Sequence, residues 1–154
     1  MLKIYRPEFE DLWFREMMLG DEETMSYNHA WGGTVEFPAE RWEGWFERWI
    51  AHPEGKRYYR YVCNEADGYI GEIAYHPDEE TGHYMADVIV YAKHRRKGYG
   101  RQALELLCNA AKENGIEELY DEIAKDNPSV NLFLKEGFHV IDETDQTFLL
   151  YRKL

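Results

Sequence analysis

The sequence predicts a single α+β domain, residues 1–154, with a mixed, mostly antiparallel sheet flanked by about four helices. Three observations predict this class. Apolar residues recur at helical spacing in two stretches near the N-terminus, three strand-like runs joined by short turns follow, and helix and strand patterns then alternate. A chain of 154 residues is long enough to bury a full core as one domain.

The N-terminal third of the chain predicts one strand, two helices and a loop between the helices. Apolar side chains recur at helical spacing before Gly20, and Trp42, Trp45 and Trp49 later fall on one helical stripe, which favours a core position for them. The glycines and the proline between these stretches predict a long loop, and long loops in small domains are often functional. In order, we expect a strand at 2–6, a helix at 8–19, a loop at 20–38 and a helix at 39–52.

The rest of the chain predicts an antiparallel meander and then a parallel strand pair. Short turns join the three meander strands, whereas a whole helix separates the third of them from the next strand, so those two are expected to be parallel. A short helix starts at Asn127-Pro128 and ends at Gly137. In order, we expect strands at 57–63 and 69–76, a central strand ending in Val88-Ile89-Val90, a helix at 100–114, a strand at 119–124, the short helix, and a hairpin at 138–143 and 147–152.

The loop after the central strand carries the clearest functional signal. It reads Arg95-Arg96-Lys97-Gly98-Tyr99-Gly100, and residues 93–101 contain five Lys or Arg side chains and no acid. Glycines let the backbone approach a ligand closely, and the first turn of the following helix presents free N–H groups. This strand-loop-helix arrangement therefore predicts a phosphate-binding site.

Charge and composition limit the class of partner. The formal net charge is −12 although the basic segment alone carries +5. A small basic pocket on an acidic body argues against nucleic acid and favours a phosphorylated cofactor with a cationic co-substrate. No stretch has the pattern of a membrane span or a leader, and Cys63 and Cys108 stand alone, so we expect a cytoplasmic protein without a membrane partner.

Two motifs together give the chain a resemblance to a known family. The run Arg95-Arg96-Lys97-Gly98-Tyr99-Gly100, after the central strand, resembles the Gln/Arg-x-x-Gly-x-Gly/Ala signature of the GNAT superfamily of acyl-CoA-dependent N-acetyltransferases. Asp126-Asn127-Pro128, followed by a short helix and Gly137-Phe138, is similar to a second feature of that family. The resemblance covers residues 57–154 well and residues 1–56 by element order.

The resemblance implies a GNAT-like sheet whose central parallel strands splay apart around the pantetheine arm of acetyl-CoA, the expected co-substrate. The exposed backbone of the central strand would pair with the pantetheine amides, and the basic loop would hold the pyrophosphate. The expected reaction is direct attack of the primary amine of a small, cationic acceptor on the thioester. The implied cofactor-binding residues are Val88, Ile89, Val90, Arg95, Arg96, Lys97, Gly98, Tyr99, Gly100, Arg101, Asn127 and Phe133.

Phe133 departs from the pattern of the family. Many members carry a Tyr there that protonates the leaving thiolate, and a phenyl ring cannot donate a proton. Coenzyme A is a fair leaving group without this help. Two alternatives therefore stay open: an active transferase, and a non-catalytic acyl-CoA sensor or interaction domain with the same fold.

Two strand carboxylates are the candidates for the chemistry. A tight turn at 78–81 would place Glu72 and Asp87 on the same surface of neighbouring strands, and close carboxylates shift one pKa towards the range of a general base. The alternative is that such a carboxylate only bonds neighbouring backbone or tyrosine hydroxyls. In the long loop, Tyr27, His29 and Trp31 are the expected substrate-binding residues.

A dinucleotide-binding site is the rival enzyme hypothesis. Gly98 to Ala103 also satisfies G-x-G-x-x-A, and Asp121 lies about twenty residues further on, where a ribose contact is expected. The preceding meander argues against it, because that motif normally opens a series of βαβ units. No metal site is expected, and the oligomeric state stays open, with a homodimer as one alternative.

Overall fold

A seven-stranded sheet in the order β1-β2-β3-β4-β5-β7-β6 forms the centre of the computed structural model, which describes all 154 residues. The strands span Lys3–Tyr5 (β1), Tyr58–Asn64 (β2), Gly68–Pro77 (β3), Tyr84–Val90 (β4), Glu118–Ala124 (β5), His139–Glu143 (β6) and Thr147–Lys153 (β7). All neighbouring strands are antiparallel except β4 and β5. The predicted mixed sheet with one central parallel pair is confirmed, and the dinucleotide-binding alternative, which needs a series of parallel strands, is wrong.

Four α-helices flank the sheet, as the sequence predicts. They span Trp13–Gly20 (α1), Trp42–Phe46 (α2), Tyr99–Glu113 (α3) and Ser129–Lys135 (α4). Short 3-10 turns lead into α1 and α2, and a π-helical turn at Glu47–Ala51 extends α2. The longest helix, α3, has fifteen residues, and no helix combines the length and the apolar composition that crossing a bilayer requires.

The segment predicted as a long loop contains a helix of its own. Thr24–Trp31 forms a 3-10 helix, called the roof segment below. Only its first two residues, Thr24 and Met25, are buried, and Met25 packs into a small core with Leu12 and Leu19. Because the segment buries one end rather than one face, its sequence shows no helical stripe, and the loop prediction is wrong for these residues.

The two faces of the sheet cover two separate cores. Leu104 and Leu107 of α3 pack with Ile73 of β3 on one face. On the other face, Phe14 and Met18 of α1 pack with Tyr59, Tyr61 and Ala74, and Trp45 of α2 lies at the margin of this core. The side chains of successive residues of β3 therefore pack into opposite cores, as strand alternation requires.

The parallel strands β4 and β5 separate after a single contact. Met85 and Tyr120 are the one pair of residues that joins them, whereas β3 pairs with β4 along its length, from Pro77–Tyr84 to Gly71–Val90. The predicted splay is therefore confirmed. From Asp87 onward the backbone edge of β4 faces a gap instead of a strand.

Candidate active site

A cleft of about 910 Å³ occupies the gap between β4 and β5. Its walls are formed by Asp87–Val90 on β4, Asp121–Ile123 on β5, the loop before α3, and the N-terminal part of α4. The roof segment lies over it. The separated strands thus leave a deep site at the centre of the sheet, with backbone exposed along its length.

Arg95 and Thr24 hold the roof segment against the loop. Arg95 donates hydrogen bonds to the carbonyl oxygens of Glu23 at 3.1 Å and Thr24 at 2.6 Å, and its guanidinium lies 4.8 Å from the centre of the Tyr27 ring. The Thr24 hydroxyl accepts a hydrogen bond from the N–H of Ala92 at 3.0 Å. Arg95 lines the cleft, but its donors are directed at the roof segment.

The predicted substrate-binding residues lie on the roof segment in two different settings. Tyr27 and Trp31 line the cleft, and Trp31 is 50% exposed. His29 lies outside the lining, with its Nε2 3.0 Å from a carboxylate oxygen of Asp126 after β5. The structure therefore brings two of the three residues to the site, and His29 joins the roof segment to the opposite wall.

The loop between β4 and α3 presents a row of unpaired backbone donors. No carbonyl or side chain of the protein accepts a hydrogen bond from the N–H groups of residues 96–101. Arg96 and Gly98 have positive φ, 66° and 79°, which bends the backbone here. Free amides at a helix N-terminus, combined with the helix dipole, suit an anion such as a phosphate group.

The basic side chains of this loop are directed to different partners. Lys97 Nζ lies 3.3 Å from Asp67, and Arg101 Nε lies 2.7 Å from Glu136, and neither basic residue lines the cleft. Arg96 lines the cleft and has no partner within the protein. The predicted cofactor contacts of Lys97 and Arg101 stay predictions, and Arg96 is the free cation at the site.

Most of the other predicted cofactor residues line the cleft. Those present in the lining are Val88, Ile89, Val90, Gly98, Tyr99, Gly100, Asn127 and Phe133. Asn127 Oδ1 accepts a hydrogen bond from the N–H of Ser129 at 2.9 Å, which leaves its Nδ2 available. Phe133 is 3% exposed and packs edge-on against Phe138.

Glu72 and Asp87 lie on one face of the sheet, as the sequence predicts, but they are offset. The register of β3 and β4 places Glu72 opposite Ile89 and Asp87 opposite Ala74, so the two carboxyls are diagonal neighbours. Asp87 lines the cleft and Glu72 does not. Only Asp87 is therefore placed to contact a ligand in the cleft.

A buried ion pair holds Glu72 in the core. Its side chain is 1% exposed, and its Oε1 accepts hydrogen bonds from Arg15 at 2.8 Å and from the Tyr59 hydroxyl at 2.6 Å. The Arg15 guanidinium also lies 4.5 Å from the centre of a Trp45 ring. Burial alone would lower the pKa of Arg15, but Glu72, Tyr59 and Asp87 together outweigh burial and raise it. The structural interpretation of Glu72 fits these contacts.

Asp87 and Asp121 are half-buried carboxyls on the two strands that border the gap, and neither forms an ion pair with a basic side chain. Burial, together with repulsion from Glu72, raises the pKa of Asp87 to about 7. Burial and repulsion from Asp87 raise the pKa of Asp121 well above its usual value. A carboxyl that titrates near neutrality suits proton transfer.

Arg15 was not among the predicted site residues, and Asp121 was predicted only as a ribose ligand of the dinucleotide alternative. A signal for Asp121 was present, because it alternates in phase with Leu119 and Ile123, two residues that the pattern places in the core. An acid in an apolar phase is a reason to look for a function. Arg15 shows no comparable signal within its helix.

Comparisons with known proteins give a consistent result. A family model described as an acetyltransferase (GNAT) domain matches residues 2–139. The chain is 30% identical over 108 residues to YobR, an uncharacterized N-acetyltransferase of Bacillus subtilis (strain 168). That match covers 70% of this chain and 42% of the relative, so the chain spans less than half the length of the curated relative.

Two solved structures share the fold along the whole chain. The PaiA N-acetyltransferase from Thermoplasma acidophilum, in complex with coenzyme A, has a TM-score of 0.70 at 17% identity and covers 100% of this chain and 99% of its own. A protein from Salmonella typhimurium, solved with its cofactor acetyl-CoA, has a TM-score of 0.74 at 18% identity and covers 100% of this chain and 94% of its own.

Proposed function

Because the chain belongs to the GNAT acetyltransferase family, we propose that it transfers an acetyl group from acetyl-CoA to the primary amine of a small, cationic acceptor. One observation carries the proposal. The gap between β4 and β5 joins the unpaired amides of residues 96–101 to the half-buried carboxyl of Asp87 within a single cleft. Such a transfer needs three parts: a site for the co-substrate, a base, and a site for the acceptor.

The first part binds the pyrophosphate of the co-substrate. Six free N–H groups at the start of α3 and the unpaired guanidinium of Arg96 supply the donors. The edge of β4 from Val88 to Val90 then offers backbone groups to the pantetheine amides, in the manner of an added strand. Phe133 and Asn127 form the wall further along the cleft.

The second part is the base. The amine nitrogen attacks the thioester carbonyl carbon, the C–N bond forms, and the C–S bond breaks as coenzyme A departs. Asp87 accepts the proton that the amine loses. Since the pKa of Asp87 is raised to about 7, the ionised base is present at and above neutral pH. Glu72 does not contact the cleft, and its charge helps to keep the pKa of Asp87 high.

The third part selects the acceptor. On the acceptor side of the cleft, the carboxylate of Glu122 adjoins the exposed ring of Trp31. A shallower groove of about 430 Å³ continues from Trp31 and Glu122 to Asp145 in the β6–β7 turn. Carboxylates and an aromatic face attract cations, which favours an acceptor with positive charge.

The test combines binding and turnover. Calorimetry with acetyl-CoA should give saturable heat, and release of free thiol should depend on an added amine, with diamines and other cationic amines faster than neutral amino sugars. Asp87→Asn should retain the heat and lose the amine-dependent release. No heat at millimolar acetyl-CoA would contradict the proposal.

Phe133 supports a second candidate function, a non-catalytic acyl-CoA sensor, because it removes the hydroxyl that many relatives use. The same two measurements separate the candidates. A sensor would show the calorimetric heat and no thiol release with any class of amine. The unpaired carboxyls of the cleft favour the transferase, because a sensor does not need a base.

A further inference from the structure

Asp121 is a carboxyl of the cleft that the mechanism above does not use. It borders the gap from β5 and lines the cleft with Asp87 and Phe133, and it forms no ion pair. On the wall formed by α4, the phenyl ring of Phe133 supplies no hydroxyl, and the hydroxyl that α4 does bring to the cleft lies at its first residue, Ser129. We propose that Asp121 donates the proton to the departing thiolate of coenzyme A. This inference rests on the acetyl transfer proposed above.

Strand alternation places the two carboxyls on opposite faces of the sheet. Asp121 is in phase with Leu119 and Ile123, whose side chains pack in the core that contains Phe133. Asp87 is in phase with Ile89, which packs with the core under α1 and α2. Asp121 thus borders the gap from the side of Phe133, and Asp87 from the side of the roof segment, so acid and base flank the thioester.

The surroundings of Asp121 favour a protonated carboxyl. On β4 the nearby charge is that of Asp87, on its own strand its neighbour is Glu122, and its partner on β7 is the neutral Leu150. The other charged or titratable groups that line the cleft are Glu23, Tyr27, His94, Arg95, Arg96 and Tyr99. Burial and the charge of Asp87 raise the pKa of Asp121, and an ionised Asp87 therefore favours the protonated form of Asp121.

The proton balance of the reaction closes within the cleft. As the C–N bond forms, Asp87 takes one proton from the amine nitrogen. As the C–S bond breaks, Asp121 gives one proton to the sulfur, and the products are the amide and the free thiol. The cycle is complete when the proton on Asp87 returns to Asp121 through solvent.

A rescue experiment tests the inference. Asp121→Asn should lower kcat for amine-dependent thiol release about 100-fold, the usual contribution of one acid catalyst, with acetyl-CoA binding retained in calorimetry. Adding Phe133→Tyr to this variant supplies a hydroxyl from α4 and should restore kcat by about tenfold or more. Glu105→Gln, which removes an exposed charge on α3, is the matched control and should keep the wild-type rate.

The pH profile is the second measurement and does not depend on how well the double variant folds. The wild-type kcat should fall on the alkaline side as Asp121 loses its proton, and Asp121→Asn should lack this fall. Wild-type kcat in Asp121→Asn, or an alkaline fall that persists in it, would overturn the role of Asp121 and leave the acetyl transfer intact. A double variant that folds but is no faster than Asp121→Asn would do the same. A wild-type protein that binds acetyl-CoA but releases no thiol with any amine would overturn both.

Discussion

The core under α1 and α2 and the cleft between β4 and β5 differ in whether their polar groups have partners within the protein. In the core, Glu72 accepts hydrogen bonds from Arg15 and Tyr59. In the cleft, Asp87 and Asp121 form no ion pair, and the amides of residues 96–101 have no acceptor within the protein. Unpaired polar groups are costly when buried, so their presence at one place indicates function, whereas the paired groups serve stability.

Removing one partner of the ion pair in the core should have the largest effect, a loss of stability. Arg15→Met removes the cation and leaves the Glu72 carboxylate buried without compensation, so the free energy of unfolding should fall by about 3–5 kcal/mol. Urea denaturation at neutral pH measures this change. Arg48→Met, an exposed control on the π-helical turn, should stay within about 0.5 kcal/mol of the wild type. Equal urea midpoints for Arg15→Met and the wild type would contradict the stabilising role of the paired groups in the core.

Removing an unpaired carboxyl should impair turnover instead of folding. Asp87→Asn should lower kcat about 100-fold because the base is lost. In the wild type, the rate should fall as pH decreases through about 7, since Asp87 becomes protonated there. Steady-state assays across pH measure both effects. Asp142→Asn, an exposed change on the edge strand β6, is the control, and an Asp87→Asn variant as fast as this control would refute the assignment.

Disturbing the unpaired amides should weaken binding of the co-substrate. Gly98 has a φ of 79°, so Gly98→Ala strains the loop by about 1–2 kcal/mol and should reduce acetyl-CoA affinity about tenfold as the amides shift. Calorimetry measures the affinity. Gly82→Ala imposes a similar strain, at a φ of 74°, in the β3–β4 turn away from the cleft, and it should bind like the wild type. Equal affinities for both variants would argue against the amide site.

The smallest expected effect is a gain in thermal stability of the Asp121→Asn variant that depends on pH. The pKa of Asp87 rises from 3.8 to about 7 on folding, so the native state holds an extra proton between these values and stability declines as pH rises through this window. The raised pKa of Asp121 adds a decline in the same direction. Asp121→Asn should therefore melt about 2–4 °C higher than the wild type at pH 8, with no gain at pH 4. A gain of equal size at both pH values would show that ionisation is not its cause.

Secondary structure was predictable wherever one face of an element is buried. The tryptophan stripe of 39–52 and the alanine and leucine stripe of α3 are helical in the structure, because burial of a face imposes helical spacing on consecutive residues. The helix of the roof segment was not predicted, because no face of this segment is buried. It is anchored at its ends by Thr24 and His29, through contacts with residues far along the chain.

The sequence by itself determined the loop that we propose as the anion site, since six consecutive residues from Arg95 to Gly100 shape it and its amides belong to the local backbone. Only the tertiary structure decided the roles of the carboxyls. Glu72 is paired because Arg15, 57 residues earlier, packs against it, and Asp87 is left unpaired because β5 separates from β4 beside it. The pKa of a carboxyl depends on burial and on the charges brought near it, and both are properties of packing between distant segments.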